Sequence, residues 1–89
     1  MAKKDYKEIC SNIIDAVGGV SNINNVSHCM TRLRLQLKDG SVLDQEAAKK
    51  IPGVLNLVVQ NGEYQFVIGQ DVPSLYEEFT KVEGIKAGG

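Results

Sequence analysis

The tightest constraint on what this chain can fold into is the dipeptide Asn61-Gly62, set between two stretches of alternating apolar residues. A two-residue type I′ turn needs positive φ at both central positions, which Asn and Gly tolerate, and such a turn joins antiparallel strands. With those two residues as the loop, Gln60 opposes Glu63, Val59 opposes Tyr64, Leu57 opposes Phe66 and Leu55 opposes Ile68. The large apolar side chains then gather on one face, and a slip of one residue would scatter them. This hairpin has a face to bury, so other parts of the chain must cover it.

A second strand pair lies upstream. Residues 31–37 alternate, with Leu33, Leu35 and Leu37 on one face and Arg32, Arg34 and Gln36 on the other. Residues 23–28 form its expected partner. Three helical stripes supply the cover. Tyr6, Ile9, Cys10, Ile13, Ile14 and Val17 make the first, stopped by Gly18-Gly19, and Cys10 within it reads as a small buried hydrophobe. Leu43, Ala47 and Ile51 mark a short second helix, capped by either Ser41 or Asp44 and ended by Pro52-Gly53. Val72, Leu75, Tyr76, Phe79 and Val82 make the third, with Asp71 as N-cap and Pro73 in the first turn. The order helix, two strands, helix, two strands, helix predicts an α+β open-faced sandwich: a four-stranded antiparallel sheet with three helices on one face. Residues 1–82 form a single domain on this reading, and residues 83–89 (EGIKAGG) a flexible tail or linker.

Composition removes several function classes. The 89 residues carry a formal charge of -1, without the Lys and Arg excess of a nucleic-acid binder, and neither aromatic nor GXXG platforms for RNA stand out. No apolar run approaches the ~18 residues of a membrane span, and the start (Lys3, Lys4, Asp5) lacks a secretory h-region. A cytoplasmic domain with no direct membrane insertion is expected. Two cysteines are too few for a disulfide framework and are expected as thiols.

The chemistry concentrates in one hexapeptide. The only two arginines lie in Cys29-Met30-Thr31-Arg32-Leu33-Arg34. At i and i+2 on a strand they project from the same face, roughly 7 Å apart. Guanidinium forks match phosphate oxygens in geometry and charge, so a doubly charged phosphoryl group on the Cys29 sulfur would find its counter-ions there. Backbone N–H groups of Met30 and Thr31, with the Thr31 hydroxyl, can complete an anion nest. The same cations favour the thiolate, the nucleophilic form. Positioning and charge stabilisation are most of what phosphoryl transfer asks of a protein, so no metal or cofactor is expected. His28 and Cys29 are one adjacent pair without further ligands at zinc spacing. For His28 two readings stand: an electrostatic modulator of Cys29, or a surface or turn residue. A cysteine phosphatase loop needs Cys, five residues, then Arg. Here Arg34 follows after four and Arg32 after two, without the glycine-rich loop. A pure docking module would need neither the cysteine nor the arginines.

The stretch Asn22-Ile23, five residues, then Cys29-Met30-Thr31-Arg32-Leu33-Arg34-Leu35-Gln36-Leu37-Lys38-Asp39 resembles the phosphorylation-site signature of the IIB domains of the glucose and β-glucoside group of bacterial phosphotransferase systems. The Asn-apolar pair, Cys, Thr-Arg, the alternating apolar residues and the closing acid are all in place. Gly53-Val54, Gly62, Tyr64-Gln65, Val67-Ile68-Gly69 and Asp71-Val72-Pro73 are similar to the β-glucoside and sucrose branch. The likeness spans roughly residues 5 to 80. It implies a four-stranded antiparallel sheet with three helices on one side. It also implies that Cys29 takes phosphate from a phosphohistidine of a IIA protein or domain and donates it to a sugar held by a membrane-embedded IIC domain. Arg32 and Arg34 match the arginines associated with transfer to the sugar, and Thr31 occupies the loop beside the sulfur. The expected location is the inner face of the cell membrane, reached through IIC, and many such domains share a chain with IIC.

Overall fold

The computed structural model describes residues 5–86, and the Asn61-Gly62 hairpin is formed in it. Asn61 and Gly62 take φ of 54° and 77°. They join β3 (Asn56–Gln60) to β4 (Glu63–Val67) with Gln60 against Glu63, Val59 against Tyr64 and Leu57 against Phe66. The ladder stops one pair short of expectation, at Asn56 and Val67. Leu55 is 70% exposed instead of joining Ile68 in the core. The cause lies in the preceding turn. There the Val54 N–H bonds the Ile51 carbonyl, and Ile51 and Val54 take the core places, so the chain enters β3 with Leu55 turned outward. Gly53, at φ +98°, passes so close to Ile9 that an added Cβ would lie 2.6 Å from its Cδ1.

The other hairpin joins β1 (Ile23–His28) to β2 (Arg32–Leu37), with a bulge between Ile23 and Asn25. Strand order is β1-β2-β4-β3 and every neighbouring pair is antiparallel. The arginine-bearing strand therefore sits inside the sheet, flanked by β1 and β4.

Helix α1 (Tyr6–Ala16) starts at Asp5, whose carboxylate accepts from the Glu8 N–H, and buries Ile9, Cys10 and Ile13. It ends as the glycine pair predicts, with Gly18 and Gly19 both at positive φ and the Gly19 N–H reaching the Ile14 carbonyl at 2.8 Å. Of the two candidate caps for α2 (Gln45–Lys49), Asp44 serves, accepting from Glu46 and Ala47 N–H groups at 3.1 and 3.2 Å. Ser41 lies in a preceding 3₁₀ turn capped by Asp39. With the helix opening after Asp44, Leu43 falls outside it, and the buried position is Ala48 where Ala47 was expected. Helix α3 (Val72–Thr80) buries Val72, Leu75 and Phe79. Asp71 holds its N-cap position without a capping bond from its side chain, while its carbonyl accepts from Ser74 and Leu75.

One core results. Val26, Leu33, Leu35 and Phe66 on one sheet face meet Ile13, Val17, Leu75 and Phe79 from the helices, all fully buried. Each contributes about 1.5–3 kcal/mol by leaving water. Among the described residues, no helix lies over the opposite sheet face, which carries Arg32 and Arg34. The tail expected from residue 83 turns back over its first four residues. Ile85 packs against the core and the Lys86 carbonyl accepts the Val26 N–H at 2.9 Å, covering part of the β1 edge. Residues 87–89 of that tail lie outside the described residues, as do residues 1–4. Among the described residues no helix is long and apolar enough to cross a membrane.

Candidate functional site

Cys29, Met30 and Thr31 form the connection between β1 and β2, closed by a bond from the Cys29 N–H to the Arg32 carbonyl at 2.9 Å. The loop is anchored from its far side as well. The Thr31 carbonyl accepts from both Ile68 and Gly69, at 2.8 and 2.9 Å, so the β4–α3 junction holds it. Cys29 is half-buried at this edge. Desolvation is the largest single influence on its thiol and opposes ionisation. The Thr31 and Arg32 amides, then the Arg34 charge and an Arg34 side-chain hydrogen bond, together outweigh it, and the pKa lies below the ordinary 9.0.

The amides acting on the sulfur are thus those of Thr31 and Arg32, where Met30 and Thr31 were the expected pair. Met30 instead extends its side chain into solvent at 88% exposure. His28 points away from the open face. Its ring lies tilted against Tyr76 of α3, centroids 4.5 Å apart and planes at 54°. Its Nδ1 lies 3.0 Å from the Cys29 carbonyl, to which the protonated nitrogen donates. Both contacts lie on the helix side of the sheet, next to the Cys29 loop. Cys10 has the opposite character: it is 3% exposed, and burial first, then Glu78, pushes its thiol up to about 11.

Arg32 and Arg34 share the open face, as their spacing requires, but they are held differently. Arg32 Nη1 donates to Gln65 Oε1 at 2.7 Å. Gln65 Nε2 donates to Glu63 Oε1 at 2.9 Å, and the same oxygen lies 3.8 Å from Arg34 Nε. Neither Gln65 nor Glu63 stands out as a site residue from residue type alone. The signal that could have found them is the strand register, because Gln65 opposes Arg34, and Glu63 opposes Gln36, on the face left polar by the alternation. Among the described residues no three His, Cys, Asp or Glu side chains come together in a set able to hold a metal ion.

Comparison with known proteins identifies a family. The family model described as "phosphotransferase system, EIIB" matches residues 11–44, which include Cys29, Arg32 and Arg34. The arbutin-, cellobiose-, and salicin-specific EIIBC component of Escherichia coli (strain K12) is 43% identical over 75 residues, 84% of this chain and 16% of that protein. The beta-glucoside-specific EIIBCA component of Bacillus subtilis (strain 168) is 36% identical over 77 residues, 86% of this chain and 13% of that protein. The chain thus spans about a sixth or less of the length of these relatives. A solved structure, one domain of the PTS system IIabc component from Clostridium difficile, superposes with a TM-score of 0.87 at 31% identity, covering 93% of this chain and 86% of that one. A near-complete match to a solved domain, together with the sequence matches around the Cys29 loop, leads to one conclusion: the chain belongs to the EIIB family of the phosphotransferase system.

Proposed function

We propose that this chain is a phosphocysteine carrier, taking a phosphoryl group on Cys29 from a IIA phosphohistidine and passing it to a sugar bound by a membrane IIC component. The observation that carries the reading is the half-buried Cys29 thiol in the β1–β2 loop, whose ionisation is favoured by two backbone amides and the Arg34 guanidinium. In the first step the Cys29 thiolate attacks phosphorus, the S–P bond forms as the N–P bond breaks, and the histidine nitrogen keeps the bonding pair. In the second, a sugar hydroxyl attacks phosphorus, the S–P bond breaks, and the thiolate returns as the hydroxyl proton goes to a base outside this chain. The amides of Thr31 and Arg32 stabilise charge at the sulfur end. Arg32 and Arg34 neutralise the phosphoryl oxygens.

The relatives named EIIBC and EIIBCA support the choice of partners, since their names join this unit to IIC and IIA components. Through IIC the domain would work at the inner face of the cell membrane. The test is intact mass after mixing with phosphoenolpyruvate, the general phosphotransferase proteins and a matching IIA. One added phosphoryl group in the wild type and none in Cys29→Ser is expected. Equal gain in the mutant would remove Cys29 from the reaction. Replacing Arg32 or Arg34 by a neutral residue is expected to slow transfer to sugar more than acceptance from IIA, and equal losses would make them general anion anchors.

A further inference from the structure

On the bare face of the sheet four side chains form a single polar chain: Arg32, Gln65, Glu63, Arg34. Its centre is Gln65, 5% exposed, the one buried polar side chain among the described residues. A buried primary amide between a guanidinium and a carboxylate has only one workable orientation. Its oxygen must face Arg32 and its nitrogen Glu63, because the reverse puts donor against donor and acceptor against acceptor. The distances of 2.7 and 2.9 Å agree with that orientation. Glu63 therefore dictates which way Gln65 faces, and Gln65 in turn holds Arg32.

The same carboxylate governs the second arginine in another way. Arg34 Nε is cut off from solvent and makes no hydrogen bond. Glu63 Oε1, 3.8 Å away, pairs with it by charge without a bonding distance. Arg34 is also the arginine whose charge favours the Cys29 thiolate. It lies between the Glu63 carboxylate and the sulfur that would carry the phosphoryl group.

We propose that Glu63 is a positioning residue of this site, locking Arg32 through Gln65 and acting as a resting counter-ion that competes with the Cys29 phosphoryl group for Arg34. The proposal rests on Cys29 being the phosphoryl carrier. Its consequence is a sulfur that accepts phosphate without holding it too strongly. With the carboxylate gone, Arg34 turns wholly to the sulfur, and the phosphorylated state gives up its phosphate more slowly.

The test compares wild type, Glu63→Gln and Glu63→Asp, each first checked for an unchanged thermal transition. The first readout is the pH dependence of Cys29 alkylation by iodoacetamide in the isolated domain, resolved by peptide mass so that Cys10 does not interfere. The ionisable groups around this sulfur are His28 on β1, Arg32 and Arg34 on β2, Glu63 on β4 and, behind His28, Tyr76 on α3. Only Glu63 differs between the variants. The midpoint is expected to fall by about half a pH unit in Glu63→Gln, the order for one charge acting across a partly solvated surface. Glu63→Asp should restore most of it. A side chain that merely braces the sheet would leave the midpoint in place or raise it on loss, and either result overturns the proposal. The second readout is the rate at which phosphorylated domain delivers phosphate to sugar through IIC, expected to drop severalfold in Glu63→Gln. An unchanged rate overturns the competition for Arg34. Should the midpoint fall while wild-type Cys29 never accepts phosphate, the coupling of Glu63 to the thiol stands and the carrier reading fails.

Discussion

The two cysteines of this chain should react with alkylating reagents at rates about a hundredfold apart, and the structure says which cause dominates. Cys10 has its thiol pushed up to about 11, while Cys29 lies below 9.0. At pH 8 a thiol at about 11 is ionised to about one part in a thousand and one at 9.0 to about one in ten, a ratio of ~100. The more acidic thiolate is the weaker nucleophile, and a Brønsted slope of about 0.4–0.5 takes back roughly tenfold. Ionisation alone therefore leaves a margin near ten. Burial sets the larger margin, and the two factors do not multiply, because a thiol opened to solvent reacts at its ordinary pKa. Cys10 is 3% exposed on the buried side of α1, so reaction waits for a local opening, and an opening of about 3 kcal/mol exposes the thiol roughly one part in 150 of the time. The assay is timed iodoacetamide labelling at pH 8 followed by peptide mass analysis, with and without concentrated urea. Complete labelling of Cys29 with Cys10 untouched is expected in the native protein, and near-equal rates in urea. The comparison is demanding because Cys10 also lines a groove of about 460 Å³ with Lys7, Ile14, Glu78 and Val82. Native Cys10 labelled within about tenfold of Cys29 would refute the dominance of burial. A Cys29 midpoint at or above 9.0 would refute its stabilisation by the amides and Arg34.

Phe66→Ala empties a fully buried position at the centre of the sheet and should cost about 3–5 kcal/mol in urea unfolding. Asp44→Ala removes the acceptor of two N–H groups and should cost about 1 kcal/mol by the same measurement. Alkaline pH should weaken the fold through Cys10. Its folded pKa is raised to about 11 from 9.0, so its contribution is complete below 9.0 and lost as pH rises through 11. Thermal melts across that window should decline in the wild type and flatten in Cys10→Ala.

The fold was largely legible because turn chemistry and apolar periodicity pointed to one register. Asn61-Gly62 allowed only one pairing that put Leu57 and Phe66 together, and that pairing is present. The misses share a cause. Leu55 and Ala47 sit where a short segment enters or leaves a turn, and there a phase change of one residue costs little, because Val54 and Ala48 fill the same core space. At the site, the i, i+2 spacing of Arg32 and Arg34 on a strand was enough to put them on one face. Their unequal partners were not legible, since Gln65 and Glu63 come from a strand some thirty residues away and acquire meaning only through β2–β4 pairing. His28 was undecided for a related reason: its partner Tyr76 belongs to α3, and only the packed helix brings the rings together.

The doubly used Thr31 carbonyl gives the molecule a built-in gauge. Ile68 and Gly69 both donate to it, so their amide protons are shielded from deuterium only while the sulfur-bearing loop stays docked on the β4–α3 junction. They belong to a different part of the chain from the reacting atoms, and their exchange follows the loop without disturbing it. Anything that tightens the loop, a bound phosphoryl group included, should slow the two protons together, and a protein that pries it loose should speed them together. Paired uptake at Ile68 and Gly69 thus times the opening of the sulfur's own cradle.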